Sequence, residues 1–395
     1  MTQDIFFIDG ARTPFGSFGG TLKDMTATDV AVVAAKAALE RSKVSPDQVE
    51  HVVFGNVSQT AADAIYLARH VGLKSGVPIP VPALTVQRLC GSGFQAVVSG
   101  AQEILTDGIG LCLVGGTESM SQSPHVIRGA RWGIALGKGQ LEDTLWQGLT
   151  DPYCGCPMAI TAENLAEKYG ISREDSDQWA YTSQMRTKAA AEACRLSAEI
   201  VAVEVPGKRE TVRFDKDEHP RFDASVEKMA KLPAVFKKGG VVTAGNASGI
   251  SDGAAAMVIA SGSKVKDLGL KPIGRLVSWA TVGVPPEIMG IGPVDACRQA
   301  LKKAGLTLEQ MDLVEINEAF APQVLACVKE LGVDKAKLNV NGGAIALGHP
   351  LGASGARLTL TILYELRRRK ARYGLASACI GGGQGIALVV EAVSE

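Results

Sequence analysis

Two kinds of apolar pattern alternate along the chain. Residues 51–54 and 83–87 are short strand-like runs, which predict strands. Residues 28–41 and 92–105 instead place apolar side chains at helical spacing, and Thr28 is the expected cap of the first helix. Because strand-like and helix-like segments alternate over most of the length, the pattern predicts an α/β fold with a buried sheet.

This pattern occurs twice. A shift of 262 positions places residues 38–93 on residues 300–355 without a gap, so that Leu39 falls on Leu301 and Gln48 falls on Gln310. Similarity that keeps its register over this length indicates an internal duplication.

The two copies are separated by irregular sequence that includes a charged stretch at 208–238. We therefore expect an N-terminal half formed by residues 1–118 and 250–270, an inserted loop domain at 119–249, and a C-terminal half at 271–395. The two α/β halves should pack against each other, with ligand chemistry at the carboxyl ends of the strands between them.

Charge and cysteine content narrow the class of function. The 395 residues include 41 Lys and Arg and 41 Asp and Glu, so no overall field attracts nucleic acid or an anionic membrane, and we expect a small-molecule ligand. Eight dispersed cysteines favour a reducing compartment without disulfides. No export leader and no run of about 20 apolar residues is recognised, so we expect a cytoplasmic protein, or a mitochondrial matrix protein if the source is a eukaryote. Cys154 and Cys156 have no nearby ligands to complete a tetrahedral site, and no metal is expected.

Cys90 lies between the strand-like residues 83–87 and the helix-like residues 92–105. The free N–H groups and the positive dipole end of a helix favour a thiolate over a thiol. This placement predicts a nucleophile.

Three further reactive side chains follow strand-like runs and are expected in loops: Asn317, His349 and Cys379. His349 precedes Pro350, which suits the first turn of a helix, and the dipole there disfavours the imidazolium. A neutral His349 is available either to accept a proton from Cys90 or to donate to a developing oxyanion. Each residue alone is more often structural, but the four together indicate a catalytic site.

A second thiol opposite a nucleophilic cysteine has two physical uses. Cys379 would either form a redox pair or act as the general acid and base for a carbon acid. The glycines at 381–383 expose amides that can form an oxyanion hole, and Asn317 can hold a water or a polarised carbonyl oxygen. Ala319 and Phe320 can line an apolar acyl channel.

The chain closely resembles the thiolase family, which exchanges acyl groups with coenzyme A. The resemblance extends from residue 12 to the last strand and is carried by the following segments: Arg-Thr-Pro-Phe (12–15), Leu-Cys-Gly-Ser-Gly (89–93), Gly-Gly-Thr-Glu-Ser-Met (115–120), Gly-Asn-Ala-Ser-Gly (245–249), Asn-Glu-Ala-Phe (317–320), Gly-His-Pro-Leu-Gly (348–352) and Cys-Ile-Gly-Gly-Gly (379–383). Residues 63–70 and 232–238 look most like the mitochondrial-type 3-ketoacyl-CoA branch of the family.

The resemblance implies a thiolase-like fold, in which two duplicated α/β halves pack as a layered αβαβα core with an inserted loop domain. It implies an acyltransferase of fatty-acid β-oxidation that cleaves 3-ketoacyl-CoA or condenses acetyl-CoA to acetoacetyl-CoA, without a tightly bound cofactor. The family is usually a dimer or a tetramer, so a homo-oligomer is expected.

Roles for individual residues are also implied by the resemblance. Cys90 would carry the acyl group, His349 would activate it, and Cys379 would move the proton at the α-carbon of acetyl-CoA. Asn317, through a water, would share one oxyanion hole with His349, and the amides of Cys90 and Gly381 would form another. The residues implied in contacts with coenzyme A and the acyl chain are Leu149, Met158, Arg221, Phe236, Ser248, Met289, Ala319 and Phe320. Pro157 stands where many acetoacetyl-CoA thiolases have a histidine, which weakens an expectation of strict short-chain specificity.

Three alternatives remain at this point. Residues 91–96 match G-x-G-x-x-A, but the match follows the third βα unit and lacks the acidic residue of a dinucleotide-binding oxidoreductase. A non-catalytic acyl-CoA or lipid-binding module on the same scaffold is the second alternative. A ketoacyl synthase is the third, although a histidine would normally replace Asn317 or Cys379 there.

Overall fold

The computed structural model describes residues 4–207 and 209–393. Five terminal residues of the two predicted halves lie outside the described residues, namely 1–3 and 394–395. Residue 208 of the predicted insertion also lies outside them. The strands are β1 (Ile5–Arg12), β2 (Gly16–Ser17), β3 (His51–Gly55), β4 (Ala83–Val86), β5 (Leu111–Ser119), β6 (His125–Val126), β7 (Glu142–Asp143), β8 (Thr150–Asp151), β9 (Cys156–Pro157), β10 (Val203–Val205), β11 (Val212–Phe214), β12 (Ser251–Ser261), β13 (Gly274–Gly283), β14 (Leu313–Ile316), β15 (Tyr373–Ile380) and β16 (Gln384–Ala392).

The α-helices are α1 (Ala27–Ser42), α2 (Leu67–Lys74), α3 (Ser92–Thr106), α4 (Thr144–Gly148), α5 (Met158–Tyr169), α6 (Arg173–Glu192), α7 (Arg195–Glu199), α8 (Val226–Ala230), α9 (Gly262–Asp267), α10 (Gly292–Ala304), α11 (Ala321–Leu331), α12 (Ala344–Leu347) and α13 (Leu351–Arg369). Short 3₁₀ turns occupy Pro46–Gln48, Ala64–Tyr66, Met120–Gln122, Ala130–Trp132 and Pro286–Ile291. Among the described residues, no helix combines the length and the apolarity needed to cross a membrane.

The main sheet repeats one arrangement of strands in its two halves. Its order is β14-β15-β16-β13-β1-β12-β5-β3-β4. In the first half β3 is parallel to β5, while β5 and β1 are each antiparallel to β12. In the second half β14 is parallel to β15, while β15 and β13 are each antiparallel to β16. The halves meet where β1 pairs with β13, from Ile5 opposite Leu276 to Phe7 opposite Gly274. This repeat matches the internal duplication that the sequence predicts.

Helices and half-sheets form five layers. Helices α3 and α13 share one apolar core with the facing sides of both half-sheets, including Phe94, Met257, Leu360 and Leu388. Helices α1 and α2 cover the outer face of the first half-sheet, and α10 and α11 cover that of the second. Each half-sheet is therefore buried on both faces, which explains its nearly continuous apolar strands. The predicted αβαβα layering is confirmed.

The central helices α3 and α13 cross in direct backbone contact. A Cβ at Gly93 would lie 2.5 Å from the Ala356 nitrogen, and a Cβ at Gly355 would lie 2.2 Å from the Phe94 nitrogen. Gly93 and Gly355 are equivalent positions of the internal repeat, so the crossing is symmetric. Because Cys90 and His349 directly precede these two helices, the close crossing places both segments at one end of the central layer.

One local expectation is corrected by the structure. Helix α1 is capped by Thr26, whose extended backbone lets its side chain accept from the Asp29 N–H, and Thr28 lies inside the helix. Residues 251–261 form one buried strand, β12, with no helical portion. Its small side chains pack between β1 and β5, since strand pairing on both edges outweighs the helix propensity of alanine.

Candidate active site

Cys90 lies in the turn between β4 and α3. Leu89 adopts a left-handed backbone with φ of 44°, and the turn is held by the Ser92 hydroxyl, which donates to the Leu89 carbonyl at 2.7 Å and accepts from the Arg88 N–H at 2.8 Å. Burial raises the pKa of the Cys90 thiol to about 11, and the charge of Glu118 adds to this shift. Backbone hydrogen bonds from Gly381 and Cys90 oppose it. The prediction that the helix terminus favours a resting thiolate is therefore wrong, because desolvation outweighs the helix amides.

The Gly381 amide lies near the Cys90 sulfur and favours its ionised form. This proximity joins the end of β15 in the second half to the turn after β4 in the first. Two N–H groups, those of Cys90 and Gly381, thus lie near one sulfur atom. The same donors can stabilise negative charge on an oxygen bound next to that sulfur.

His349 follows the short helix α12, so the strand predicted before it is not present. Its Nδ1 lies 2.6 Å from the Ser354 hydroxyl, which donates its own proton to the Pro350 carbonyl at 2.9 Å. Nδ1 must therefore carry the ring proton, which leaves Nε2 with a free lone pair. Burial lowers the pKa of His349 to about 3, and the positive charge of Arg357 contributes. The ring is neutral as predicted, but burial and Arg357 are the causes rather than the helix dipole.

Asn317 lies just beyond β14, where its N–H donates to the Ser377 carbonyl at 2.9 Å. The side-chain Nδ2 is 3.3 Å from Nε2 of His349, which is long for a hydrogen bond. Its Oδ1 is buried without a hydrogen-bond partner among the described residues. The amide and the imidazole therefore direct polar atoms into one shared space.

Cys379 lies within β15 and is fully buried, so its prediction as a loop residue is wrong. It packs with Met289 and Ala319, and Met158 and Phe320 contact the same cluster. Burial raises the pKa of Cys379 well above its usual value, and negative charge on Cys90 raises it further. The two thiols are thus near enough for the ionisation of one to oppose that of the other.

A cavity of about 820 Å³ leads to these groups. Cys90 and His349 line it, together with all eight residues predicted to contact coenzyme A or the acyl chain: Leu149, Met158, Arg221, Phe236, Ser248, Met289, Ala319 and Phe320. Asn317, Cys379 and Gly381 lie directly behind this wall, through their contacts with His349, Met289 and Cys90. The structure therefore brings all thirteen predicted residues to one place.

The loop at 246–248 is joined to the loop that follows Asn317. The Ser248 N–H donates to the Ala319 carbonyl at 3.0 Å, and the Ala321 N–H donates to the Asn246 carbonyl at 2.9 Å. Met158 is held similarly, since its N–H donates to the Leu149 carbonyl at 2.9 Å. The cavity wall is therefore built from the insertion and from the second half together.

Two groups near the site were missed by sequence reasoning. Ser354 sets the His349 tautomer, and its position in the first turn of α13, five residues after His349, is a signal that could have identified it. Glu118 is buried and accepts from the N–H groups of Val57, Ser58 and Gly352. Burial raises the pKa of Glu118 to about 7, and these hydrogen bonds oppose the shift. Glu118 thereby ties the start of α13 to the first half, and its place in the 115–120 motif was a usable signal.

The resting charge state of Cys90 leads to a testable pH dependence. Because the pKa of Cys90 is about 11, we expect its alkylation by iodoacetamide to accelerate about tenfold per pH unit between about pH 6 and about pH 9. The rate is measured by mass spectrometry of the peptide that contains Cys90. A Cys90→Ser variant gives the background from other thiols. A plateau near neutral pH would instead reveal a resting ion pair between thiolate and imidazolium.

The chain is similar to known proteins over nearly its whole length. The family model described as thiolase, N-terminal domain, matches residues 5–263, and that described as thiolase, C-terminal domain, matches residues 270–392. The chain is 56% identical over 392 residues to the mitochondrial 3-ketoacyl-CoA thiolase of Bos taurus, covering 99% of both chains. The crystal structure of human mitochondrial 3-ketoacyl-CoA thiolase in complex with CoA matches with a TM-score of 0.97 and 54% identity, covering 100% of this chain and 99% of that one. The Bacillus anthracis acetyl-CoA acetyltransferase structure matches with a TM-score of 0.97 and 44% identity, covering 99% of both chains.

Proposed function

The chain belongs to the thiolase family, and from this premise we propose how its residues divide the reaction. The protein is an acyltransferase that moves acyl groups reversibly between CoA thioesters. In one direction it cleaves a 3-ketoacyl-CoA with CoA to acyl-CoA and acetyl-CoA, and in the other it condenses two acyl-CoA molecules. The observation that carries the proposed division of roles is the convergence of Cys90, His349 and Cys379 at one end of an apolar cavity.

Acylation begins with a proton transfer from Cys90. The free lone pair of His349 Nε2 accepts the thiol proton as the sulfur attacks the thioester carbonyl, so no resting thiolate is required. The carbonyl oxygen gains negative charge beside the sulfur, where the Cys90 and Gly381 amides can receive it. The CoA thiolate leaves and takes the proton of the Cys379 thiol, and the acyl group remains on Cys90.

Carbon–carbon bond formation then requires a carbanion. The resulting Cys379 thiolate removes a proton from the α-carbon of acetyl-CoA, whose thioester oxygen is stabilised by the protonated Nε2 of His349 and by a water held on Asn317. The carbanion attacks the acyl carbonyl on Cys90, and the Cys90 sulfur leaves and takes back the proton held by His349. Thiolysis is the same sequence in reverse. The buried, paired arrangement of both thiols supports these separate roles.

Coenzyme A enters as a substrate and leaves as a product, with no tightly bound cofactor. We propose that Ser248 contacts the pantetheine arm and that Arg221 lies near the adenine-phosphate end. Leu149, Met158 and Phe236 line the pantetheine channel, while Met289, Ala319 and Phe320 face the acyl group. The apolar lining fits an acyl chain. The 119–249 insertion supplies most of these contacts and is proposed as the CoA-binding domain. The two thiolase halves are proposed at residues 1–118 together with 250–270, and at residues 271–395.

A dinucleotide-binding role is disfavoured by the crossing of α3 and α13. The glycines of the 91–96 motif contact the α13 backbone, since a Cβ at Gly93 would already lie 2.5 Å from the Ala356 nitrogen. The pyrophosphate of a dinucleotide needs that space at the helix terminus.

The proposed function is tested by single-turnover labelling with radiolabelled acetyl-CoA, followed by peptide mapping. A covalent acetyl group on Cys90 is expected, whereas a non-catalytic acyl-CoA-binding protein leaves none. A substrate panel from acetoacetyl-CoA to long-chain 3-ketoacyl-CoA then measures the acyl-chain preference. Pro157, which stands beside Met158, supports acceptance of chains longer than acetoacetyl.

We propose that the protein is a homo-oligomer, either a dimer or a tetramer. Strand β4 lies at the edge of the main sheet, and Leu84, on that strand, is exposed. The insertion exposes a separate apolar set, formed by Ile127, Trp132, Ile134, Leu136 and Leu141. Two separate apolar surfaces fit two kinds of subunit contact, which together can build a tetramer.

Analytical ultracentrifugation tests the assembly. The wild-type protein is expected to sediment as a dimer or a tetramer, because the exposed apolar sets would otherwise remain in water. Replacing Leu136 and Trp132 by glutamate is expected to reduce a tetramer to a dimer, and a Lys138→Glu variant of the same loop is the control. A monomeric wild-type protein would contradict the proposal.

We also propose a reducing compartment, namely the cytoplasm, or the mitochondrial matrix if the organism is a eukaryote. The eight cysteines are free thiols in the structure, and two of them carry the proposed chemistry. Relatives that are named mitochondrial support the second location.

A further inference from the structure

His219 lies between two loops that form the inner wall of the cavity. Its ring lines the cavity together with Ser248, Gly249 and His349. A Cβ added at Gly249 would lie 2.3 Å from the Cε1 atom of this ring, and a Cβ added at Gly348 would lie 2.6 Å from its Cδ2 atom. The imidazole therefore fills the space between the Ser248–Gly249 loop and the Gly348–His349 loop.

Ser251 connects this ring to the backbone of His349. The Ser251 hydroxyl oxygen lies 2.8 Å from the Gly249 carbonyl oxygen and 2.8 Å from His219 Nε2. It accepts a hydrogen bond from the His349 N–H at 3.0 Å. The His349 N–H also reaches the Gly249 carbonyl at 3.1 Å. The peptide of His349 is thus held by a hydroxyl that His219 orients.

The segment that carries His219 is anchored to the N-terminal half. Asp217 accepts two hydrogen bonds from the buried Arg12 guanidinium, at 2.7 and 3.0 Å, and a third from the Phe15 N–H at 2.8 Å. Glu218 accepts from the Ser17 N–H at 2.8 Å. A buried, bidentate ion pair resists displacement because separating it leaves an unpaired charge. The position of His219 is therefore set by the rigid core.

We propose that His219 is a positioning residue for the reaction, a proposal that rests on the function proposed above. It couples the Ser248–Gly249 loop, proposed to hold pantetheine, to the backbone of the base His349. His219 acts through Ser251 rather than on the reacting atoms. Without the ring, a space opens between two loops that contain glycine, and His349 loses one of its fixed contacts. A displacement of about 1 Å at a catalytic group can slow a reaction by about 10²-fold.

The test compares His219→Leu, His219→Gln, Ser251→Ala and the double variant of His219→Leu with Ser251→Ala. The leucine keeps most of the volume but cannot hydrogen-bond to Ser251, so the kcat for thiolysis is expected to fall about tenfold or more, with KM for CoA changed less than about twofold. The glutamine can place its amide group where Nε2 stands, and is expected to recover most of the loss. The double variant is expected to be no slower than the slower single variant, because both changes break one chain of contacts.

Two further measurements separate this proposal from its premise. Alkylation of Cys90 by iodoacetamide needs no CoA chemistry, and at one fixed pH its rate is expected to be lower in His219→Leu and in His349→Ala than in the wild type. His125→Ala, a change of an exposed histidine outside the cavity, is the matched control. Unchanged kcat and alkylation in His219→Leu, multiplicative losses in the double variant, or a raised KM with unchanged kcat would overturn the role of His219. If the wild-type protein transfers no acetyl group but the alkylation of its Cys90 still depends on His219, the thiolase roles are overturned and the positioning role of His219 is supported.

Discussion

Replacing Cys90 by serine is expected to abolish acyl-enzyme formation and to lower the rate of thiolysis by about 10⁵-fold. A serine hydroxyl is a far weaker acid than a thiol, so the neutral imidazole of His349 takes its proton far less readily. The two amides that converge on the Cys90 sulfur would remain in place but would have no acyl carbonyl to stabilise.

The measurement is the stoichiometry of acetyl transfer from radiolabelled acetyl-CoA, mapped to a peptide. Cys194→Ser is the matched control, because Cys194 is an exposed thiol and is not among the residues that line the active-site cavity. CoA binding by the Cys90→Ser protein checks that its cavity is intact. Retention of an acetyl label in the Cys90→Ser protein would show that another residue carries the acyl group.

Replacing Cys379 by serine is expected to separate the two halves of the reaction. Acetyl exchange between acetyl-CoA and CoA moves no proton at carbon, and a CoA thiolate can take its proton from water, so the exchange rate should change by less than about threefold. Condensation and thiolysis need a proton moved at carbon, and both should fall by about 10³-fold, within the range for loss of a general acid or base. The buried position of Cys379 beside Met289 and Ala319 leaves no water to replace it easily.

The measurement compares that acetyl exchange with thiolysis of acetoacetyl-CoA on the same enzyme preparation. Exchange of α-protons of acetyl-CoA for deuterium gives a third readout that depends on Cys379 but not on the second substrate. Cys297→Ser, a buried thiol in the outer apolar core, controls for the effect of a buried hydroxyl. Equal losses in exchange and in thiolysis would contradict separate roles for the two cysteines.

Sequence patterns predicted the fold because those patterns depend on local spacing. The runs at 51–54 and 83–87 became β3 and β4, and the 92–105 run became α3. The repeat at a shift of 262 positions matched the equivalent glycines at 93 and 355, where the central helices touch. The cap of α1 was placed two residues too late because Thr26 and Thr28 are both acceptable caps, and only backbone geometry distinguishes them.

The charge states of the site could not be predicted in the same way. A helix N-terminus after Cys90 suggested a thiolate, but burial of the sulfur was the larger effect and raised its pKa to about 11. For His349, the helix dipole led to the right protonation state for the wrong reason, because burial dominates. The desolvation of a group depends on the residues that pack over it, and these residues cannot be identified from the neighbours of the group along the chain.

Spacing along the chain was enough to predict the order of the elements, their duplication, and the set of reactive side chains near the ends of those elements. Tertiary structure alone decided which of these side chains meet, which nitrogen of His349 carries the proton, and that His219 and Ser251 hold its backbone. The physical reason is that these contacts join distant segments, as Ser251 and His349 do across 98 positions. Hydrogen-bond direction and burial are properties of such neighbours in space, whereas helix and strand periodicity is a property of neighbours along the chain.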